Sequence, residues 1–388
     1  SVHHEGIMIP GVKIVRNGEV NEELLSILQM NSRAPETIMG DFHAEVACLR
    51  VGVKRVLELY QKYGTDTLEA SIDVILSAGE QRAREAILAL PDGRWEAEDW
   101  MDNDGISDEL VRVHIVVTIK EDVMTIDYSG SSDQVAGPIN LSFGMAQSAA
   151  RICFKAITTP HDPSNGGQFK PLSVIAREGS LFNASYPAPV FTIWAGVMGV
   201  ETIFKAFAKA FPDLIPAGSG GDLGDPGFYG KEPVSGRQVW HQTNAGVGWG
   251  ARKNQDGINT TQHISMCTVK NIPVEVIESR LPVMVDRAEL RQDSGGPGTF
   301  RGGLGSVREY RFLESFGALT IVKKSRTSGF GLNGGKPGPK NLTILKPNTN
   351  RQNWKSDWER DVIVYADNRK LYDDVPDDQE YCGMFRGE

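Results

Sequence analysis

The stretch in this sequence whose residue types best suit chemistry is Gly218-Ser-Gly-Gly-Asp-Leu-Gly-Asp-Pro-Gly. Glycines let a backbone approach a ligand closely, and Asp222 and Asp225 can bind a cation or exchange protons. A tight connection whose aspartates only make local turn hydrogen bonds explains the same residues equally well. A second stretch follows, Trp240-His-Gln-Thr-Asn-Ala-Gly-Val-Gly-Trp-Gly-Ala-Arg. Polar groups on a glycine loop between two tryptophans suit a small-molecule pocket. Asp222, Asp225 and His241 are the candidate catalytic groups, and Asn244, Trp249 and Arg252 the candidate substrate contacts. Arg252 has the planar fork that pairs with phosphate oxygens. For His241 alone, a core ring satisfied by backbone is the plainer reading, and His263 reads as alternating outward from a strand.

Other chemistries lack their residues. No Gly-Lys-Ser/Thr phosphate loop and no dinucleotide fingerprint in a strand–helix setting is present. No HExxH pair and no Gly-x-Ser-x-Gly elbow occurs either. The four cysteines (Cys48, Cys153, Cys267, Cys382) form no CxxC and sit in apolar or aromatic surroundings. They read as buried reduced thiols, which suits a cytoplasmic compartment. The net charge of −9, with no lysine/arginine run, argues against a nucleic-acid or anionic-membrane binder. No apolar run reaches the roughly 18 residues a membrane span requires.

These loops have to be positioned by the rest of the 388 residues, long enough for two domains with real cores. Hydrophobic residues at 40% and charged residues at 23% mark a globular chain and exclude a disordered one. Residues 21–90 carry helical spacing. Pro35-Glu36 opens a long helix whose Val46, Leu49, Val53, Val56, Leu57 and Tyr60 recur on one face up to Gly64. A further helix runs toward Pro91, and the single glycine turn between the two suggests an antiparallel hairpin. Val111–Ile119 and Met124–Tyr128 alternate as paired strands. Residues 143–157 return to helix, 172–175 read as a short buried strand, and 190–211 as a helix apolar all round. From 217 onward strands are expected at 236–243, 262–277, 281–291, 304–313, 317–323, 340–346 and 361–366. The fold class is α+β: a helix-rich region 1–215, a β-rich domain 216–346 and an acidic extension 347–388, with a soft boundary between 212 and 235.

Several segments together resemble the hydantoinase B/oxoprolinase family. They are Glu5-Gly-Ile-Met-Ile-Pro-Gly-Val-Lys, Asn31-Ser-Arg-Ala-Pro-Glu with Gly40-Asp41, and Asn165-Gly-Gly-Gln-Phe-Lys-Pro-Leu-Ser-Val-Ile, with Lys170 where arginine is usual. Tyr186-Pro-Ala-Pro-Val, Pro273-Val-Glu-Val-Ile-Glu-Ser-Arg-Leu-Pro-Val and Asp293-Ser-Gly-Gly-Pro-Gly-Thr-Phe-Arg-Gly-Gly-Leu-Gly follow in family order. The resemblance implies a subunit that works with an actin-like, ATP-binding partner of the hydantoinase A type, in a hetero-oligomer acting on a small molecule. The partner, with ATP and Mg2+, would phosphorylate a carbonyl oxygen, and the B-type chain would complete hydrolysis of a cyclic amide. A ketone carboxylase subunit is the alternative, and a non-catalytic scaffold a third reading. The resemblance also implies a divalent metal, Zn or Mn, whose ligands belong to a family segment that precedes Glu5. That segment and the family's glycine-rich tail have no counterpart here, so the expectation is a fragment or a naturally split subunit.

Overall fold

The computed structural model describes residues 7–32, 34–191, 193–221, 224–231, 236, 238–243, 245–266, 269–314, 317–345, 362, 363, 381, 382, 384 and 385. The backbone divides into two compact units, 1–85 with 161–171, and 86–160 with 172–388. The division expected from the sequence at 215/216 does not coincide with this one, because residues on both sides of it belong to the second unit. The acidic extension lies almost entirely outside the described residues.

The first unit opens with the ribbon β1 (Val15–Arg16) and β2 (Glu19–Val20). Helix α1 (Glu22–Met30) follows, its first turn capped by the Asn21 side chain, which accepts from the Leu24 N–H. Proline at the first position then starts α2 (Pro35–Tyr63), and Gly64 ends it. Helix α3 (Thr65–Leu88) begins at the next residue. The expected antiparallel hairpin does not form: α2 and α3 do not pack along each other, and α2 has no buried residue. One intervening residue redirects the chain but is shorter than the two to five that reverse it. Cys48, on α2, is exposed rather than buried. Residues 161–171 are fastened to α3 by Arg82–Asp162 and Lys170–Glu80 ion pairs, each 2.8 Å. Hydrogen bonds from Lys170 and Arg84 hold the half-buried Glu80 carboxyl below its usual value.

The second unit is built on a sheet ordered β3 (Gly93–Met101), β4 (Val111–Lys120), β5 (Val123–Asp127), β6 (Leu172–Ile175). Its pairs are antiparallel except β5–β6. Along β4 the alternate residues Val111, Val113, Ile115, Val117 and Ile119 are buried, as the period of two requires. Each such side chain contributes about 1.5–3 kcal/mol. Against this face pack α4 (Phe143–Thr158) and α5 (Trp194–Ala210). As its composition predicts, α5 is buried on nearly every side.

Strand β3 has no clear pattern in the sequence, because its inward positions include Ala97 and Asp99 rather than a hydrophobic series. Strand β6 is half-buried at the sheet edge, not fully buried. A second sheet is ordered β11 (Gly317–Ile321), β7 (Asp225–Lys231), β8 (Gln238–Gln242), and β9 (Val283–Leu290) pairs with β10 (Ser306–Phe312). Phe228, Ile277, Leu281 and Val283 form their own small core there. The strand expected over 262–277 is instead a helical turn, Ile264–Met266, and the helix α6 (Val274–Arg280). Pro273 stands immediately before that helix, where a missing N–H costs nothing.

Candidate functional site

The two glycine stretches lie side by side. The N–H of Ala217 donates to Ala251 O (2.9 Å), Gly220 N–H to Gly248 O (2.9 Å) and Ala245 N–H to Gly224 O (3.0 Å). Such contact requires glycine. A Cβ on Gly250 would stand 1.8 Å from Ala217 O, and Gly221, at φ +68°, would drive one into the Lys324 side chain.

This paired loop rests on α5. Within that apolar helix sits Glu201, buried, and two side chains converge on it. His263 Nε2 is 3.1 Å from Glu201 Oε1, and the Ser219 hydroxyl donates to the same oxygen. Among the described residues, the other oxygen receives only a long 3.4 Å bond from the Ser219 N–H. Behind the imidazole, Nδ1 accepts from the Ser265 N–H (3.2 Å) and meets the Ser265 hydroxyl at 2.8 Å. In the neutral ring, Nε2 therefore carries the proton toward Glu201. Burial alone would push the Glu201 carboxyl up. Hydrogen bonding to His263, the charge of that ring when protonated, the Ser219 hydroxyl and the Lys324 charge outweigh it, so the net direction is down. Burial, then the Glu201 charge, push the Cys153 thiol on α4 well up and keep it protonated.

A second buried pair supports the first. Lys324 Nζ is 2.5 Å from Asp99 Oδ1, and both side chains are almost fully enclosed. Lys205, one turn beyond Glu201 on α5, is 3.8 Å from the same carboxylate and donates to Glu98 O. Asp102 accepts from the N–H and hydroxyl of Ser325 and from the Arg326 N–H. Through these bonds the end of β3 fixes residues 323–326.

Glu201 and Ser219 face a small recess whose walls include Phe204, Trp249, Ile264 and Phe330. It has room for about one water-sized molecule. An ionised carboxylate held by an imidazole beside such a recess can accept a proton from a molecule seated there.

Of the residues the sequence singles out, Trp249 forms a recess wall, and its indole N–H donates to Gln262 O (2.6 Å). His241 is on β8 opposite Phe228, outside the recess, with a buried Nε2 that has no partner among the described residues. Burial, then the Arg280 charge, lower its pKa. Arg252 is exposed and makes a backbone bridge with Gln255. Asp225 begins β7, and its side chain, like all of Asp222 and Asn244, lies outside the described residues. His263, expected to point outward, is fully buried, because 263 leads into a helical turn instead of continuing a strand. Sequence reasoning missed Glu201, His263, Ser219 and the Asp99–Lys324 pair. The available signal was the one carboxylate inside a helix that is otherwise nearly all apolar.

Among the described residues, no three His, Cys, Asp or Glu side chains converge in a metal-holding arrangement. Those residues therefore do not fit a resident divalent metal.

The fold and site define an α+β chain with a buried carboxylate–imidazole pair beside a small aromatic recess. The chain belongs to the hydantoinase B/oxoprolinase family, whose model matches residues 1–372. It is 31% identical over 347 residues to the B-type chain of a putative D-/L-hydantoinase from a Pseudomonas species, covering 86% of this chain and 58% of that one. The ATP-dependent caprolactamase of Pseudomonas jessenii shares the fold, with a TM-score of 0.75 at 24% identity over 87% of this chain and 63% of that one. A nucleotide-free acetone carboxylase gives 0.74 at 18% identity, over 86% and 47% of the two chains. The chain thus spans about three fifths of the length of the curated hydantoinase chain it matches.

Proposed function

We propose that this chain is the B-type part of an ATP-dependent heteromeric enzyme that hydrolyses a cyclic amide of the hydantoin, oxoproline or lactam type. The observation that carries this reading is the family match over residues 1–372, with a B-type hydantoinase chain among the relatives. In this reading a partner of the hydantoinase A type holds ATP with Mg2+ and phosphorylates the carbonyl oxygen. That step turns a poor electrophile into a competent one before the carbon–nitrogen bond breaks. A reaction supplied with ATP belongs in the cytoplasm. The divalent metal that the family resemblance implies would be held outside the described residues.

The paired loops 217–224 and 245–251 form the substrate side, with Trp249 as an apolar wall. A ketone carboxylase role is the second reading, favoured by the equally close fold of acetone carboxylase. The test is reconstitution with the A-type partner and ATP, following phosphate release and ring opening of a hydantoin, oxoproline or lactam. Amide-dependent phosphate release with a linear product is expected. Bicarbonate-dependent consumption of a ketone, with no amide turnover, would overturn the hydrolase reading.

A further inference from the structure

The deepest polar cluster of the second unit contains a carboxylate with one oxygen engaged by two donors and the other nearly unengaged, at the wall of a water-sized recess. A second observation sits beside it. Gln262, next in the chain to His263, is buried, and neither atom of its side-chain amide has a partner among the described residues. Buried amides are normally satisfied by protein or by ordered water, so a small polar molecule is expected beside the Gln262 amide, one residue from His263.

We propose that Glu201 is the general base of this chain, deprotonating the water that attacks the activated carbonyl carbon, and that His263 is its positioning residue. The inference rests on the amide-hydrolase reading above. With the carbonyl oxygen phosphorylated, the ring nitrogen is doubly bonded to that carbon. The water oxygen bonds to the carbon, one water proton passes to Glu201, and Glu201 delivers it to the nitrogen. As the adduct collapses, the carbon–nitrogen bond breaks with its electron pair on nitrogen. The proton of the new hydroxyl follows to the nitrogen through the same carboxylate. The products are an amine and an acyl phosphate, which a second water cleaves to carboxylate and phosphate. Glu201 ends as it began, and nothing is oxidised or reduced.

Several features suit Glu201 to this work. The imidazole proton on Nε2 and the Ser219 hydroxyl fix Oε1, which orients the carboxylate. Ser265 in turn fixes the ring through Nδ1. The charged and titratable groups around Glu201 are His263 from the 263–266 turn, Lys324 with Asp99 behind it, Lys205 on α5 and Cys153 on α4. The cations favour the ionised base, and the thiol is neutral.

The experiment uses the complex reconstituted with its A-type partner. Glu201→Gln is expected to lower kcat by at least about 100-fold, the usual range for a general base, while ATP-dependent phosphorylation of the amide continues. His263→Asn and Ser219→Ala each remove a hydrogen bond to the carboxylate. Both are expected to move the acid limb of kcat/KM to higher pH, a change that loss of packing alone would not produce. A Glu201→Gln complex turning over within twofold of wild type overturns the inference. Should that variant fail to fold, an unmoved acid limb in both His263→Asn and Ser219→Ala overturns it. A wild-type complex that opens no cyclic amide removes the hydrolase reading itself. An active wild type with an equally active Glu201→Gln removes only the role of Glu201.

Discussion

Helix α2 carries apolar residues at helical spacing on one face, α5 is apolar nearly all round, and the two end in opposite states. In the 29-residue α2 no residue is buried, and Leu49 is 69% exposed. In the 17-residue α5 nearly every side chain from Trp194 to Ala208 is enclosed, the charged Glu201 included. Periodicity decides that a helix forms, but the surface against which it packs decides what its residues are worth. In α5 that surface is the β3–β4 face together with α4. Glu201 is accordingly a costly group that must be paired, whereas the acidic residues of α2 are ordinary solvated charges.

The largest expected effects test this contrast directly. Phe207→Ala, in the fully buried part of α5, should cost about 3–5 kcal/mol in urea denaturation. Leu49→Ala on α2 should stay within about 0.5 kcal/mol. Equal losses from the two would erase the distinction between the helices. Lys324→Met, which leaves buried Asp99 with Lys205 at 3.8 Å as its nearest cation, should cost up to about 3 kcal/mol. The double change with Asp99→Asn should recover part of that loss, and a strictly additive double variant would count against the pair.

Acid sharpens the comparison next. The folded Glu201 carboxyl is shifted downward despite its burial, through His263, Ser219 and Lys324. Its contribution is therefore present above the unfolded carboxyl value of about 4.3, and it is lost as pH falls through the lower folded value. Denaturation followed from pH 7 downward should show a shallower acid loss for Glu201→Gln than for wild type, since glutamine has no proton to gain. Parallel slopes would show that the buried carboxylate is not the titrating group.

Smaller effects are expected where charge meets water. Asp286 pairs with Arg311 through 2.9 Å contacts, and its carboxyl is also held down, by hydrogen bonding to Arg311. This pair is solvated, so Asp286→Asn should leave the denaturation midpoint unchanged at low salt and at about 1 M salt alike. A salt-dependent midpoint shift in wild type that Asp286→Asn abolishes would show the pair to be stabilising. For the loop residues, Asp222→Asn, Asp225→Asn and Arg252→Lys should each reduce turnover of the assembled complex by at least about tenfold without changing thermal stability. If all three match wild type, the substrate side does not include them.

Much of the architecture was readable from periodicity alone. Helices α4 and α5, the β4–β5 pair and the second-half strands near 283, 306 and 317 stand where spacing puts them. The glycine character of the two loops was also readable, because glycine allows a close backbone approach, while their pairing with each other appears only in the structure. Other features had no local signal. Strand β3 hides its inward face behind Ala97 and Asp99, and a single glycine at 64 cannot tell a bend from a hairpin.

The sequence by itself determined the family, the α+β class, the positions of most helices and strands, and the glycine loops with Trp249 beside them. Those are properties of neighbouring residues, of steric freedom and of repeating polarity. Only the tertiary structure decided that Glu201, Ser219, His263 and Ser265 share one hydrogen-bonded line, and that Asp99 meets Lys324 across 225 positions. A carboxylate acquires its chemistry from burial and from the donors around it. Those donors come from segments that sequence order keeps far apart.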